Sequence, residues 1–115
     1  GAFSASRTGA LAYTSGAIDR PGDLFAKTGG GARQLTRLNT TWLQGKDIAP
    51  MRKLAVTAPD GRPVDAWLIE PVGRRPGQKV PLILEIHGGP HTEYGPGFST
   101  DYQLYAAAGY AVLYT

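Results

Sequence analysis

The residues most able to do chemistry lie in one short loop, HGGPH at 87–91, directly after an apolar run. Glycine has no side chain, so the backbone N–H groups of Gly88 and Gly89 can approach a ligand closely. Pro90 fixes the direction of the chain and donates no hydrogen bond. An oxyanion hole needs rigid, bare N–H groups, because they must point at an oxygen that gains charge only in the transition state. The loop predicts such a site, although a tight turn without function has the same pattern.

The elements around this loop predict one βαβ unit. Val80–Ile86 is apolar except at one position, as is typical of a central strand covered on both faces. Ser99 can cap a helix that contains Leu104–Ala108, and Gly109 is suited to end it. Tyr110–Thr115 then restarts a strand. Strand, loop, helix and strand in this order imply a parallel pair, and α/β folds bind ligands after the carboxyl ends of such strands.

Two further strands are expected upstream, at Lys53–Ala58 and Val64–Glu70. The Asp60-Gly61 pair between them suits a tight reversal, so they are predicted to run antiparallel. Counting from Lys53, the run that precedes the glycines is the third strand. In α/β-hydrolases the loop after the third strand carries an oxyanion donor, which agrees with the site proposed for this loop.

Residues 1–40 are predicted to form a small all-β unit. The expected strands are Ala2–Ser6, Ala10–Ser15, Asp23–Thr28 and Ala32–Arg37, with Gly16–Gly22 as a loop. Four strands at intervals of about ten residues are typical of a meander or of one propeller blade. Such a sheet would expose edges and apolar faces, so it needs neighbours. Residues 41–51 have no clean period and are expected to connect two domains, with Trp42 and Leu43 packed at the junction.

Composition excludes several classes of protein. Of the 115 residues 42% are apolar and 18% charged, as in folded proteins, and 16 glycines and 9 prolines favour a turn-rich β architecture. The net charge of +3 comes from scattered basic residues, which argues against a nucleic-acid partner. No apolar run approaches the roughly 20 residues that span a membrane. Without cysteine or a visible signal peptide, we expect a cytoplasmic protein with no membrane partner.

Neither a metal nor another cofactor is expected. The two histidines of the loop are four residues apart on irregular backbone, and no carboxylate pair lies near them in sequence. The predicted strands also cannot bury their faces alone, so the chain is expected to be a fragment of a larger protein.

The chain resembles the prolyl oligopeptidase family of serine peptidases, and most closely its acylaminoacyl-peptidase branch. The stretch VPLILEIHGGPHTEYGPGFSTDYQLYAAAGYAVLYT (80–115) is similar to the opening of that family's catalytic domain. It has the proline-led apolar strand, the His-Gly-Gly-Pro loop, the alanine-rich helix and the Gly-Tyr-Ala-Val strand. DGRPVDAWLIEP (60–71) resembles the second hydrolase strand, and DLFAKTGGGARQLTRLN (23–39) resembles the last propeller blade. The resemblance therefore covers nearly the whole chain.

The resemblance implies a two-domain architecture and a peptidase activity. Residues 1–40 would be the last blade of a β-propeller, 41–51 a connector, and 52–115 the N-terminal part of an α/β-hydrolase domain. The substrates would be short peptides, cleaved through an acyl-enzyme. The other partners would be the rest of the catalytic domain and propeller, on another segment or chain. The resemblance is also compatible with a homo-oligomer.

The resemblance also assigns roles to the loop residues. The N–H of Gly89 would be one oxyanion donor, with Gly88 beside it, and His87 would shape the loop through side-chain hydrogen bonds. Independently of the resemblance, Pro90 fixes the direction of the loop, and His91 is either a substrate or loop contact or a surface residue. The prolyl-oligopeptidase branch has a donating tyrosine at the position of Pro90, so a side-chain donor is excluded there. No Gly-x-Ser-x-Gly occurs in the chain, so the serine, and the aspartate and histidine that follow it in hydrolase order, are expected elsewhere. Neither histidine of the loop is expected to be the triad base, and the fragment alone should be inactive.

Two alternatives stay open at this point. A carboxylesterase or lipase-like hydrolase would share the glycine loop after the third strand but would lack the propeller. A non-catalytic propeller or hydrolase-like interaction domain would have no nucleophile elbow followed by Asp and His.

Overall fold

The first four strands form an antiparallel meander in a computed structural model that describes residues 1–115. They are β1 (Phe3–Ala5), β2 (Leu11–Ala17), β3 (Arg20–Lys27) and β4 (Ala32–Gln34), and they pair in chain order. Tyr13 and Phe25 face each other across β2 and β3, with stacked rings 5.7 Å apart. Cross-strand aromatic pairs of this kind stabilise a sheet and fix its register.

The predicted loop at Gly16–Gly22 is wrong. Strand β2 continues to Ala17 and β3 begins at Arg20, so only two residues turn the chain. The register shifts between Ser15 and Ala17, which marks a bulge at Gly16. A Cβ on Gly16 would lie 3.0 Å from the backbone nitrogen of Gly22. Glycine here lets the two strands approach each other closely, so it extends the ladder instead of opening a loop.

The second half of the chain forms another four-stranded sheet and two helices. In chain order the elements are α1 (Thr40–Leu43), β5 (Met51–Thr57), β6 (Pro63–Ile69), β7 (Leu82–Glu85), α2 (Thr100–Ala107) and β8 (Ala111–Tyr114). The sheet order is β5-β6-β8-β7. Only β7 and β8 are parallel, while β6 is antiparallel to both of its neighbours. The predicted antiparallel pair and the predicted βαβ unit are both confirmed.

Local signals in the sequence explain where these elements turn and end. Asp60 accepts hydrogen bonds from the backbone and the side chain of Arg62, which closes the turn between β5 and β6. Ser99 caps α2 by accepting from the backbone N–H of Tyr102. Gly109 follows the helix with a φ of +93°, the left-handed conformation that favours glycine at this position. Neither helix is long and apolar enough to cross a membrane.

The buried core lies in the second sheet and against α2. Its largest fully buried side chains are Ile69, Val112 and Tyr114, and Ala106 of α2 packs with them. Ile18, from the hairpin of the first sheet, is partly buried against the same cluster. The core therefore receives side chains from both halves of the chain.

Strand β7 lies at the edge of the sheet that these residues form, so within positions 1–115 the predicted cover on both faces is present on one face only. Leu82, Leu84 and Ile86 are 56%, 55% and 74% exposed. Ile83 and Glu85 point to the opposite face because side chains alternate along a strand, and both are half-buried. One face of β7 is packed and the other is open.

Candidate functional site

The glycine loop follows the carboxyl end of β7 and has almost no backbone support. Residues 87–98 make a single hydrogen bond between backbone groups, from Gly97 N–H to the Gly95 oxygen. No backbone group of this stretch bonds to the sheet or to α2. Side chains must therefore hold the loop in place.

Gly88 and Gly89 present their backbone to open space. Both are exposed, and neither N–H donates to any group of the chain. A Cβ added to either glycine would meet no atom within 4 Å, and neither has a positive φ. Nothing in these residues therefore requires glycine at the two positions. What glycine provides there is a pair of unobstructed donors at the carboxyl end of a parallel strand, where α/β folds bind ligands.

His87 contacts the loop backbone and an aromatic neighbour. Its Nδ1 lies 2.6 Å from the carbonyl oxygen of Gly88. A carbonyl oxygen only accepts hydrogen bonds, so Nδ1 carries the proton in this arrangement. The imidazole ring also meets the ring of Tyr94 edge-on, at 5.4 Å between centroids and 80° between planes. These two contacts define the position of the ring.

Pro90 and His91 make no such contacts. Both are exposed, and the His91 side chain has no hydrogen-bond partner in the structure. The peptide bond between Gly89 and Pro90 is cis. The loop-shaping or substrate-contact roles of Pro90 and His91 stay predictions.

A cluster of three tyrosines lies beneath the loop. Tyr94, Tyr102 and Tyr114 come from the loop, from α2 and from β8, with ring centroids 4.9 to 6.3 Å apart. Tyr114 also stacks on Trp67, and its hydroxyl donates to the Sδ of Met51 at 3.1 Å. The sequence favours packing roles for Tyr94 and Tyr102 but gives no sign that they meet. They are separated along the chain by a loop and a helix start, and no local period connects them.

Burial makes the inner two tyrosines, Tyr102 and Tyr114, harder to ionise. Burial is the main cause that raises the pKa of Tyr102 far above its usual value, and the neighbouring Tyr94 and Glu85 raise it further. Burial likewise raises the pKa of Tyr114. Tyr102 and Tyr114 therefore contribute packing and not a phenolate.

These residues contain neither a nucleophile elbow nor a group of side chains that could hold a metal ion. The four serines of the chain include none in a Gly-x-Ser-x-Gly context. No group of three or more His, Cys, Asp or Glu side chains converges in the structure. The arrangement offers two backbone N–H donors without partners, on Gly88 and Gly89.

Known proteins similar to this chain are peptidases. The chain is 37% identical over 97 residues to the uncharacterized peptidase YuxL of Bacillus subtilis, a match that covers 84% of the chain and 15% of that protein. Its fold matches the acylaminoacyl peptidase of Pyrococcus horikoshii with a TM-score of 0.84 and 32% identity, over 98% of the chain and 18% of that peptidase. A puromycin-hydrolyzing peptidase of Mycobacterium tuberculosis shares the fold at a TM-score of 0.71 and 22% identity, over 97% of the chain and 18% of its own. No family model matches the chain.

These similarities concern one segment of much longer proteins, since the chain spans 15% of the Bacillus relative and 18% of the Pyrococcus one. Within that segment, relatives in sequence and in structure agree on the class, which is peptidase. The predicted resemblance to the prolyl oligopeptidase family, in its acylaminoacyl-peptidase-like branch, is confirmed across nearly the whole chain.

Proposed function

We propose that this chain is part of a serine-type peptidase that cleaves short peptides through an acyl-enzyme. In this proposal the loop at Gly88 and Gly89 forms one side of the oxyanion hole. The observation that carries it is the pair of backbone N–H groups with no partner at the carboxyl end of β7. The similarity to peptidases supplies the reaction class.

The sheet topology supports an α/β-hydrolase beginning at β5. The order β5-β6-β8-β7 places the third strand of this sheet at its edge, parallel to the fourth, with a helix between them. In hydrolases with a nucleophile elbow, the loop after strand three provides one N–H of the oxyanion hole. The four-stranded meander of β1 to β4 is the proposed last blade of a propeller. It also favours the peptidase over an esterase that lacks such a domain.

The chemistry divides between this chain and residues outside it. A serine Oγ attacks the peptide carbonyl carbon while a histidine takes the hydroxyl proton, and the carbonyl oxygen becomes an oxyanion. The N–H of Gly89 and an N–H beside the serine donate to that oxygen. When the C–N bond breaks, the histidine returns the proton to the leaving amine, and water then repeats the sequence on the acyl-enzyme. Amides that already point at the oxyanion need no reorganisation during the reaction.

The first test uses the full-length protein that contains these residues. A fluorophosphonate probe should label it under native conditions and not after heat denaturation, because only a folded site activates the serine. N-acylated peptides are the first substrates to assay, given the similarity to an acylaminoacyl peptidase. No labelling of the native protein would exclude the serine hydrolase, and turnover of simple esters without any peptide turnover would favour the esterase.

A matched pair of variants then tests the role of the loop. Gly89→Ala keeps the backbone N–H, and its Cβ has free space. Gly89→Pro removes the N–H. We expect Gly89→Pro to lower kcat by about 10²–10³-fold, the loss typical of a missing oxyanion donor, and Gly89→Ala to stay close to wild type. Equal kcat values in the two variants, at equal melting temperatures, would show that the Gly89 N–H is not an oxyanion donor. The short-peptide substrate and the cytoplasmic location stay predictions.

A further inference from the structure

The direction of the Gly89 N–H is set by the peptide group to which it belongs. The carbonyl of Gly88 and the N–H of Gly89 lie in one planar unit, and in a trans peptide they point in opposite directions. The only cis bond of the chain is the next one, between Gly89 and Pro90. Any contact that fixes the Gly88 oxygen therefore fixes the Gly89 N–H as well.

That oxygen has one partner, the protonated Nδ1 of His87 at 2.6 Å. The backbone of residues 87–98 offers no alternative anchor, because its single internal hydrogen bond lies further along, between Gly97 and Gly95. Donation to the carbonyl also polarises the peptide group, which strengthens its N–H as a donor on the other side. The orientation and the strength of the amide thus both depend on where the His87 ring lies.

The ring of His87 is in turn held by Tyr94. The two rings meet edge-on at 5.4 Å, and Tyr94 meets Tyr114 edge-on at 5.9 Å and Tyr102 at 6.3 Å. Tyr114 is 1% exposed and belongs to the buried core. A continuous series of contacts therefore connects the core to an amide on an otherwise unsupported loop.

We propose that Tyr94 is a positioning residue for the oxyanion amide. It holds the His87 ring, which holds the Gly88 carbonyl and so directs the Gly89 N–H. This inference rests on the proposed function, in which Gly89 donates to the oxyanion. Tyr94 lies five positions after Gly89, and in this proposal it touches neither the substrate nor the reacting atoms.

The test measures kcat and KM separately in the full-length protein. Tyr94→Leu should lower kcat by about 10–100-fold with KM within about threefold, since a displacement of about 1 Å in a catalytic group can cost on the order of 10²-fold. Tyr94→Phe keeps the aromatic edge and should restore most of kcat. Tyr105→Leu is the control, because Tyr105 lies on the outer side of α2 and joins no aromatic pair; its kcat should be unchanged.

A second variant keeps the proposal testable if Tyr94→Leu does not fold. His87→Phe retains a ring against Tyr94 but has no Nδ1–H, and His87 is only half-buried. It should lose kcat about as strongly as Tyr94→Leu, with an unchanged melting temperature. In the double variant the losses should not multiply, because both act on the same peptide group.

The possible outcomes separate the two proposals. A wild-type protein that is not labelled by the fluorophosphonate probe contradicts the proposed function itself. A labelled and active wild type with unchanged kcat in His87→Phe or in folded Tyr94→Leu overturns only the positioning role. Effects that multiply in the double variant would also overturn it, because they would show independent actions.

Discussion

At the scale of single residues, Asp23 shows how one carboxylate connects a strand of the first sheet to the segment that follows the sheet. It is the only buried charged side chain of the chain. Its oxygens accept from the side chains of Gln34 and Thr36 at 3.1 and 2.7 Å and from the backbone N–H of Leu38 at 3.0 Å. The three donors lie in β4 and just beyond it. Asp23 therefore joins β3 to the segment that leaves the sheet toward α1.

These donors make the stability of the sheet depend on acid. The hydrogen bond from Leu38 N–H, and then the one from Thr36, lowers the pKa of Asp23 below its ordinary value of 3.8. A carboxylate with a lowered pKa in the folded state contributes stability above the unfolded pKa and loses it as pH falls through the folded pKa. The contribution of Asp23 is thus complete above about pH 4 and disappears at lower pH.

Asp23→Asn should lower stability at neutral pH and flatten its decline below pH 4. The substitution removes the charge and turns an amide N–H₂ toward the donor of Gln34, which leaves two donors facing each other. Urea unfolding of the full-length protein between about pH 7 and pH 3 measures both effects. Asp19→Asn is the control, since Asp19 forms only an exposed ion pair with Arg20. An acid profile identical to that of wild type would contradict the role of Asp23.

At the scale of elements, one side chain attaches the connector to helix α2. Gln103 accepts from the backbone N–H of Ala49 at 2.7 Å and donates to its carbonyl at 3.3 Å, across 54 residues of sequence. Ala49 is 2% exposed, so the residue is almost fully shielded from water. Nearby, Trp42 of α1 meets Phe98 edge-on, directly before α2. The connector is therefore fixed to α2 and to the residue that precedes its cap before β5 begins.

Removing the Gln103 amide should destabilise this junction. Gln103→Ala leaves a buried donor and a buried acceptor of Ala49 without partners, which costs about 1–3 kcal/mol. Chemical denaturation of the full-length protein measures the change in the free energy of unfolding. The dependence of that free energy on denaturant concentration should be the same in the variant and in the wild type. Gln44→Ala serves for comparison, because Gln44 is exposed and its side chain makes no hydrogen bond. A difference between the two variants below about 0.5 kcal/mol would show that the contact has no net effect.

Local patterns predict the elements well and their contacts poorly. The apolar run before the glycines, the cap at Ser99 and the glycine at 109 suffice to predict β7, α2 and β8, because each signal acts within a few residues. Gly16 misleads, since its role in a bulge depends on how closely the partner strand approaches. The pairing of Gln103 with Ala49 and the cluster around Tyr94 join distant parts of the chain. No local period marks such contacts, so only the fold reveals them.

At the scale of the whole molecule, the proposed active site is divided. In the proposed mechanism the chain supplies the amide of Gly89 and the aromatic contacts that hold it, whereas the nucleophile and its base lie outside positions 1–115. The open face of β7, with Leu82, Leu84 and Ile86 exposed, lies directly before the loop. In the proposed mechanism one oxyanion donor therefore depends on packing in this segment, and the other on the turn that carries the serine.

The isolated 115-residue chain should have no peptidase turnover and should not react with a fluorophosphonate probe. None of its serines lies beside a histidine that could take its proton: Ser99 caps α2, Ser6 bonds to Thr8, and both histidines are in the glycine loop. An oxyanion donor without an activated nucleophile has no acyl-enzyme to stabilise. The assay compares the chain with the full-length protein at equal molar concentration, using the same acylated peptide and the same probe. Circular dichroism establishes that the isolated chain contains its strands, and labelling or turnover by that folded chain would contradict the assignment of the nucleophile to residues outside it.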